Sequence, residues 1–294
     1  MENFLAYTVN GLVLGSTYAL TAIGYSMVYG ILELVNFTHS TIYMVGAYLF
    51  YIFTVLCHIP MPLAFILAIL VTGALGALNE RITIRPLRAK NRPKFAMLIC
   101  TIGTSIVLQN LFFLVMGSET RQYPTIAENQ AIKVLGFNVT VVQIVIVIST
   151  VLLLVAFTLF INKTKLGMAI RACAQDTEAT ELMGVSVDNM VSLTFFIGSA
   201  LAAVAGVMGC MSYRSVDCSI GAAIGTKTFA STVLGGIGVF LGGVLGGLII
   251  GLTEVYTAAY LGSNYRNITA FVILILVLFM KPQGLLGKKV LKKV

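Results

Sequence analysis

The sequence predicts an all-α fold, a polytopic integral membrane helical bundle with about eight to nine membrane segments, including a Gly-rich helical hairpin. Three observations predict it. Only 10% of the 294 residues are charged and 58% are hydrophobic, whereas a soluble domain carries roughly 25% charged residues. The mean hydropathy is +0.97. The apolar residues also gather into long runs, and a hydrocarbon core of about 30 Å needs about 20 such residues per helix.

The runs follow in order. The first is Leu5 to Gly30, and Met1-Glu2-Asn3 before it is not the basic start of a cleavable signal peptide, so this helix is expected to be retained. The next five are Ser40 to Leu56, Pro62 to Leu78, Phe95 to Met116, Val139 to Ile161 and Met190 to Met211, and the last is Ile268 to Met280. Between the last two lies Lys227 to Leu261, apolar but studded with Gly235, Gly236, Gly238, Gly242, Gly243, Gly246, Gly247 and Gly251. It is short for two full spans. It reads as a tight helical hairpin turning near Gly238 to Gly242, either two short spans or a re-entrant pair. Non-helical backbone at membrane depth is acceptable only when packed within protein or lining a cavity.

Orientation follows from the basic residues, which favour the cytoplasmic side. Arg81, Arg85, Arg88, Lys90, Arg92, Lys94, Lys163, Lys165, Arg171, Lys281, Lys288, Lys289, Lys292 and Lys293 make 14 of the 19 on one side. Arg121, Lys133, Arg214, Lys227 and Arg266 make 5 on the other. The N-terminus is therefore expected outside and the C-terminus in the cytoplasm. The same clustering at span ends turns the net charge of +8 away from a nucleic-acid partner.

The stretch from Asn162 to Asn189 is polar and helix-prone, and its charges are too costly for the bilayer. It forms a loop over 162–189 within a single transmembrane domain of 1–294. Asp176 to Gly184 reads as a short amphipathic helix, started by Asp176 or Thr177 as cap, with Glu178 and Glu181 near its positive end and Gly184 as its stop. The segment is either a docking surface for a soluble partner or a solvated connector. On the other side, Gly117 to Asn138 carries Glu119, Arg121, Tyr123, Glu128 and Lys133. It either receives an external binding protein or merely connects two spans.

Polar groups near membrane depth tend to face a bundle interior or water. Asn36, Thr38 and His39 line a pathway or cap and pack the second helix, with Thr38 or Ser40 as N-cap. Glu254 is expensive alone and must pair across the bundle or meet a vestibule. Gln109, Asn110 and Asn79 read as interhelical hydrogen-bond formers. Gly11 with Gly15, and the four-apart glycines from Gly242 to Gly251, allow close helix approach. They, and Gly235, Gly236 and Gly238, either pack helices tightly or edge a pathway.

Catalytic and metal chemistry find little support. There is no phosphate loop, no His-Glu-x-x-His and no Gly-x-Ser-x-Gly. The two histidines are His39 and His58, and the five cysteines show no Cys-x-x-Cys spacing. The expectation is a transport subunit with no catalytic residue, no metal and no cofactor.

Several motifs carry a family resemblance. Glu178-Ala179-Thr180 with Gly184 resembles the Glu-Ala-Ala…Gly coupling element of ABC importer permeases. Gly11 to Leu20, Tyr29-Gly30 and Asn36 to Ser40 resemble the start of branched-chain amino acid (Liv-type) permeases. Leu234 to Gly238, with the later glycines and Glu254, resembles that family's hairpin, and Lys281 to Gly287 resembles its terminal Pro-Gln-Gly-Leu-x-Gly signature. The resemblance implies an inner or plasma membrane location, two cytoplasmic ABC ATPase subunits, a second, non-identical permease, and an external substrate-binding protein. It implies import of branched-chain amino acids, with Asp176, Glu178, Ala179, Thr180, Glu181 and Gly184 coupling the ATPases. Urea or a short amide is the alternative cargo within the same family. An ion-coupled secondary transporter is the alternative from another energy class.

Overall fold

The structure is a computed structural model describing residues 2–125, 131–134 and 137–287. Glu128 and the tail lysines Lys288, Lys289, Lys292 and Lys293 lie outside the described residues.

Helix α1 (Glu2–Leu32) runs through the centre of the bundle and is buried along most of its length. Its small residues explain why. Gly15 and Ala19 meet Gly247 and Gly251 backbone to backbone across the seam with a helix over Phe240–Tyr260. Lipid gives no hydrophobic drive between helices, so close packing of small residues supplies the contact. Around α1 stand α2 (Thr38–Tyr51), which ends in a π-turn over Ile52–Leu56, and α3 (Met61–Asn79), which continues through a π-turn at Glu80–Ile84 into α4 (Arg85–Ala89). Then come α5 (Lys94–Met116), α6 (Val141–Lys163), α7 (Lys165–Gln175), α8 (Thr177–Leu182) and α9 (Val187–Tyr213). The last are α10 (Ile220–Gly235), α11 (Phe240–Tyr260) and α12 (Arg266–Met280). Among the described residues, eight helices are long and apolar enough to cross a membrane. Helix α10, at 16 residues, is not one of them; at about 1.5 Å per residue it rises about 24 Å. Helices α5 and α12 turn most of their apolar surface outward, as Leu114 and Phe279 do.

The helix ends define two faces. The N-terminal face gathers the starts of α1, α6 and α12 and the ends of α5, α9 and α11, joined by contacts such as Gln143 to Asn10 and Thr8 to Tyr256. The opposite face gathers α4, α7, α8, the α10–α11 turn and residues 281–287, with ion pairs Lys94–Glu33 and Arg88–Asp188.

Several expectations need correction. The loop on the N-terminal face carries strands that were not expected: β1 (Arg121–Gln122) pairs antiparallel with β4 (Ser215–Val216), and β2 (Ala131–Val134) with β3 (Phe137–Thr140). Tyr123 beside β1 is buried, donates to the Ala47 carbonyl at 3.0 Å, and has its phenol pushed well above the usual range by that burial. The hairpin begins at Ile220 rather than Lys227, and it turns at 236–239 rather than at Gly238 to Gly242. Gly236 and Gly238 take φ of 110° and 81°, a region that side chains resist. Gly242 is instead helical, because its bare backbone lies directly on that of Gly235. Neither Thr38 nor Ser40 caps α2. Phe37 is the N-cap, and its hydrocarbon ring has no oxygen to accept a cap bond. Asn36 receives the Thr38 amide on its side-chain oxygen at 3.1 Å, and Ser40 donates to the Phe37 carbonyl at 2.9 Å.

The terminal signature has a structural task. The Leu285 and Leu286 amides donate to the carbonyls of Leu234 and Gly235 at 2.9 and 3.0 Å. Those carbonyls end α10 and would otherwise lack partners. Gly284, at φ 79°, lies against Gly236.

The Gly235–Gly242 contact makes a sharp prediction. A Gly242→Val side chain meets the Gly235 backbone, which cannot rotate away. Overpacking of this kind costs about 1–3 kcal/mol. The variant is expected to show early thermal aggregation in detergent, and a wild-type melting profile would contradict the packing.

Candidate functional site: a capped helix on one face, a cavity at α2 and a buried charge cluster

On the opposite face, Thr164 caps α7 by accepting the Gly167 amide at 3.0 Å. Asp176 caps α8 by accepting the Ala179 amide at 3.0 Å. Thr180 is buried and donates to the Asp176 carbonyl at 2.6 Å. Gly184, at φ 82°, ends the segment. Glu178, Ala179 and Glu181 are exposed, whereas Leu182 and Met183 are 88% and 84% exposed. Two large apolar side chains thus stand in the open on a polar segment, beside a groove of about 480 Å³ between α7 and α8. The sequence reading passed over both, although an adjacent apolar pair after Glu181 was its available signal.

Behind α8, the segment is tied to the spans. Glu80 is fully buried at the end of α3 and accepts from Arg85 at 3.3 Å and from Ser192 at 2.5 Å. Arg88 reaches Glu80 at 3.7 Å and also pairs with Asp188. Asp188 and Ser192 open α9, a few residues past α8, so ion pairs and a hydrogen bond join that end of α9 to the end of α3.

The second place is the start of α2. His39 is buried and its ring lies 3.1 Å from the Thr21 carbonyl and edge-on to Tyr25. A side chain at Gly24 would occupy the same space. Thr38 donates to the Thr101 carbonyl at 2.8 Å, and Thr41 bonds Ser105 at 2.6 Å, fastening α2 to α5. A cavity of about 370 Å³ opens beside this turn, lined by Phe37, Ser40, Thr41, Ser105, Gln109 and Phe229 among others, none of them charged. Asn36, Thr38 and His39 lie behind that wall rather than on it. The Asn36 amide nitrogen has no partner among the described residues.

The third place surrounds Glu254, which is fully buried. Tyr18 donates to its Oε2 at 2.8 Å, and Lys227 and Arg266 reach Oε1 at 2.6 and 3.0 Å. Three elements thus converge on α11. The expected pairing across the bundle exists, but its partners were placed in loops by the charge count. Lys227 instead stands inside α10, and Arg266 opens α12. Gly235, Gly236 and Gly238 sit at the α10–α11 turn on the far side. Among the amides, Gln109 reaches another segment, donating to the Cys218 carbonyl at 2.9 Å. Asn110 bonds Ile106 within its own helix, and Asn79 bonds Thr83, because both side chains lie along their own helix face. This corrects the interhelical reading of those two.

A polytopic bundle with an uncharged cavity between its helices and an exposed, capped helix on one face fits a multi-pass membrane permease. The family described as "Branched-chain amino acid transport system / permease component" matches residues 7–280, and the chain belongs to it. It is 42% identical over 99% of its length, and 98% of the relative's, to the high-affinity branched-chain amino acid transport system permease protein BraD of Pseudomonas aeruginosa. It is 41% identical, over 99% and 98%, to the corresponding permease protein LivH of Escherichia coli. A probable branched-chain amino acid transport permease protein LivH of Methanocaldococcus jannaschii is 24% identical over 94% and 90%. No solved structure matches the chain.

Proposed function

We propose that this chain is the membrane-spanning permease subunit of an ABC importer that moves branched-chain amino acids into the cytoplasm. A permease component works with other subunits, and here they are two cytoplasmic ATPases, a second, non-identical permease and an external binding protein. The N-terminal face is outside, and the face bearing α7 and α8 is cytoplasmic, in line with the basic residues around α4.

One observation carries the coupling role: Leu182 and Met183 project from a capped helix into water, flanked by Glu178 and Glu181. A solvated connector would place polar side chains there, since apolar side chains gain from leaving water. Asp176, Ala179, Thr180 and Gly184 hold the helix in shape. ATP-driven closure of the ATPases pushes α8, and the Asp188–Arg88–Glu80 chain passes that push from α9 to α3.

The cavity at α2 is the transit space. Its hydroxyls and aromatic rings suit a zwitterion with an apolar side chain, and the lack of charge avoids a trap that would slow release. Asn36, Thr38 and His39 shape it from behind by fixing the broken start of α2. Gly235, Gly236 and Gly238 form the cytoplasmic turn of the α10 wall, and Glu254 secures that wall on its other end.

Replacing Glu178 with Arg is expected to lower leucine uptake roughly tenfold, as opposed charge at a docking site costs about 1.4 kcal/mol or more. Membrane insertion should persist. Unchanged uptake would remove α8 from the coupling role.

A further inference from the structure

The charge around Glu254 does not balance. Two cations, Lys227 and Arg266, share one carboxylate, and no other ion pair reaches either of them among the described residues. Both Glu254 oxygens are already engaged, Oε1 by the cations and Oε2 by Tyr18. One positive charge is left over. The start of α12 adds the positive end of a helix dipole at the same point.

The surplus faces a cavity. Arg266 lines a space of about 310 Å³ on the N-terminal face, between α1, α6, α9, α11 and α12. Its Nε is buried and has no partner among the described residues. Lys227 is not part of that lining. Asn10 and Gln143, joined to each other at 2.6 Å, also line it, and the Tyr213 hydroxyl sits against Arg266. Leu14 and Val255 supply apolar wall. Ligand pockets run to about 300–1,000 Å³, so this one suits a single small molecule rather than a peptide.

We propose that this cavity receives a free α-amino acid arriving from the N-terminal face, with its carboxylate on the Arg266 guanidinium. The inference rests on the function proposed above and names a first station on the permease itself, separate from the uncharged transit cavity. A guanidinium matches a carboxylate through paired parallel N–H donors. The Asn10 side-chain oxygen is offered to the ammonium, and Leu14 and Val255 take the side chain. Lys227 stays with Glu254 and keeps the carboxylate from capturing Arg266 completely.

The test uses the purified assembly of permeases and ATPases, without binding protein, and reads thermal shifts with L-leucine, L-leucinamide and acetate. L-leucine is expected to raise the melting temperature, whereas L-leucinamide, which lacks the carboxylate, and acetate, which lacks the rest, should not. Arg266→Gln should raise the half-saturating leucine concentration at least about tenfold, since bonds to charged groups are the strong ones. Arg266→Lys should recover part of the response. Ser212→Phe, which narrows the cavity from the α9 wall, should abolish it and carries the test if Arg266→Gln fails to assemble. A wild-type response in either variant, or an equal shift with acetate, overturns the site. ATP-driven leucine uptake by the wild-type assembly with its binding protein tests the broader reading separately. Uptake there, together with an unaltered Arg266→Gln response, rejects this cavity alone.

Discussion

Replacing Leu182 and Met183 together with Glu is expected to abolish import while leaving the chain inserted and folded. Both side chains are almost wholly exposed in the isolated subunit, so the bundle loses nothing when they change. Burial of each against a partner is worth about 1.5–3 kcal/mol. Losing both removes about 3–6 kcal/mol, roughly two to four powers of ten in affinity. The measurement is co-purification of the ATPases from native membranes. Recovery at the wild-type ratio would show that α8 presents its apolar pair to something else. Single alanine replacements should each give part of the effect, with the buried Thr180 left undisturbed as an internal control on the helix.

The second large effect lies at Glu254. Glu254→Ala leaves Lys227 and Arg266 beside each other with no counter-charge, and leaves the Tyr18 hydroxyl without its acceptor. Breaking a buried pair by removing one partner costs about 3–5 kcal/mol. Four helices meet at this carboxylate, so the loss is expected to loosen α1, α10, α11 and α12 together and to lower the yield of folded protein in detergent. Glu254→Gln keeps an acceptor for Tyr18 and should fall in between. Combining it with Lys227→Met should restore part of the stability relative to Glu254→Gln alone, because one of the two stranded cations goes too. Strict additivity in that double-mutant cycle would mean the groups do not act as a unit.

Much of this architecture was legible in the chain. Long apolar runs located the spans, because lipid demands continuous helix. Asp176 and Gly184 marked α8 by cap chemistry alone. The glycine string announced close packing, but its turn could not be located, since a glycine that permits contact and one that permits positive φ look identical in sequence. Gly242 and Gly238 differ only in what lies opposite them. The partners of Glu254 were hidden for a related reason. Lys227 and Arg266 are distant along the chain, and counting them as loop charges ignored that buried acid attracts buried base. The cavity at α2 was half visible. Its polar stretch was evident, but which side chains face the space depends on the register of α2 against α5, which no local pattern records.

The bond from residues 285 and 286 to the end of α10 has a consequence for biogenesis. Helix α10 leaves the ribosome with two bare carbonyls, and the amides that complete it are translated only after α11 and α12. Until then those carbonyls depend on water at that face. The closing segment therefore acts as a latch on assembly order: the end of α10 gains its protein partners only once the downstream helices are in place.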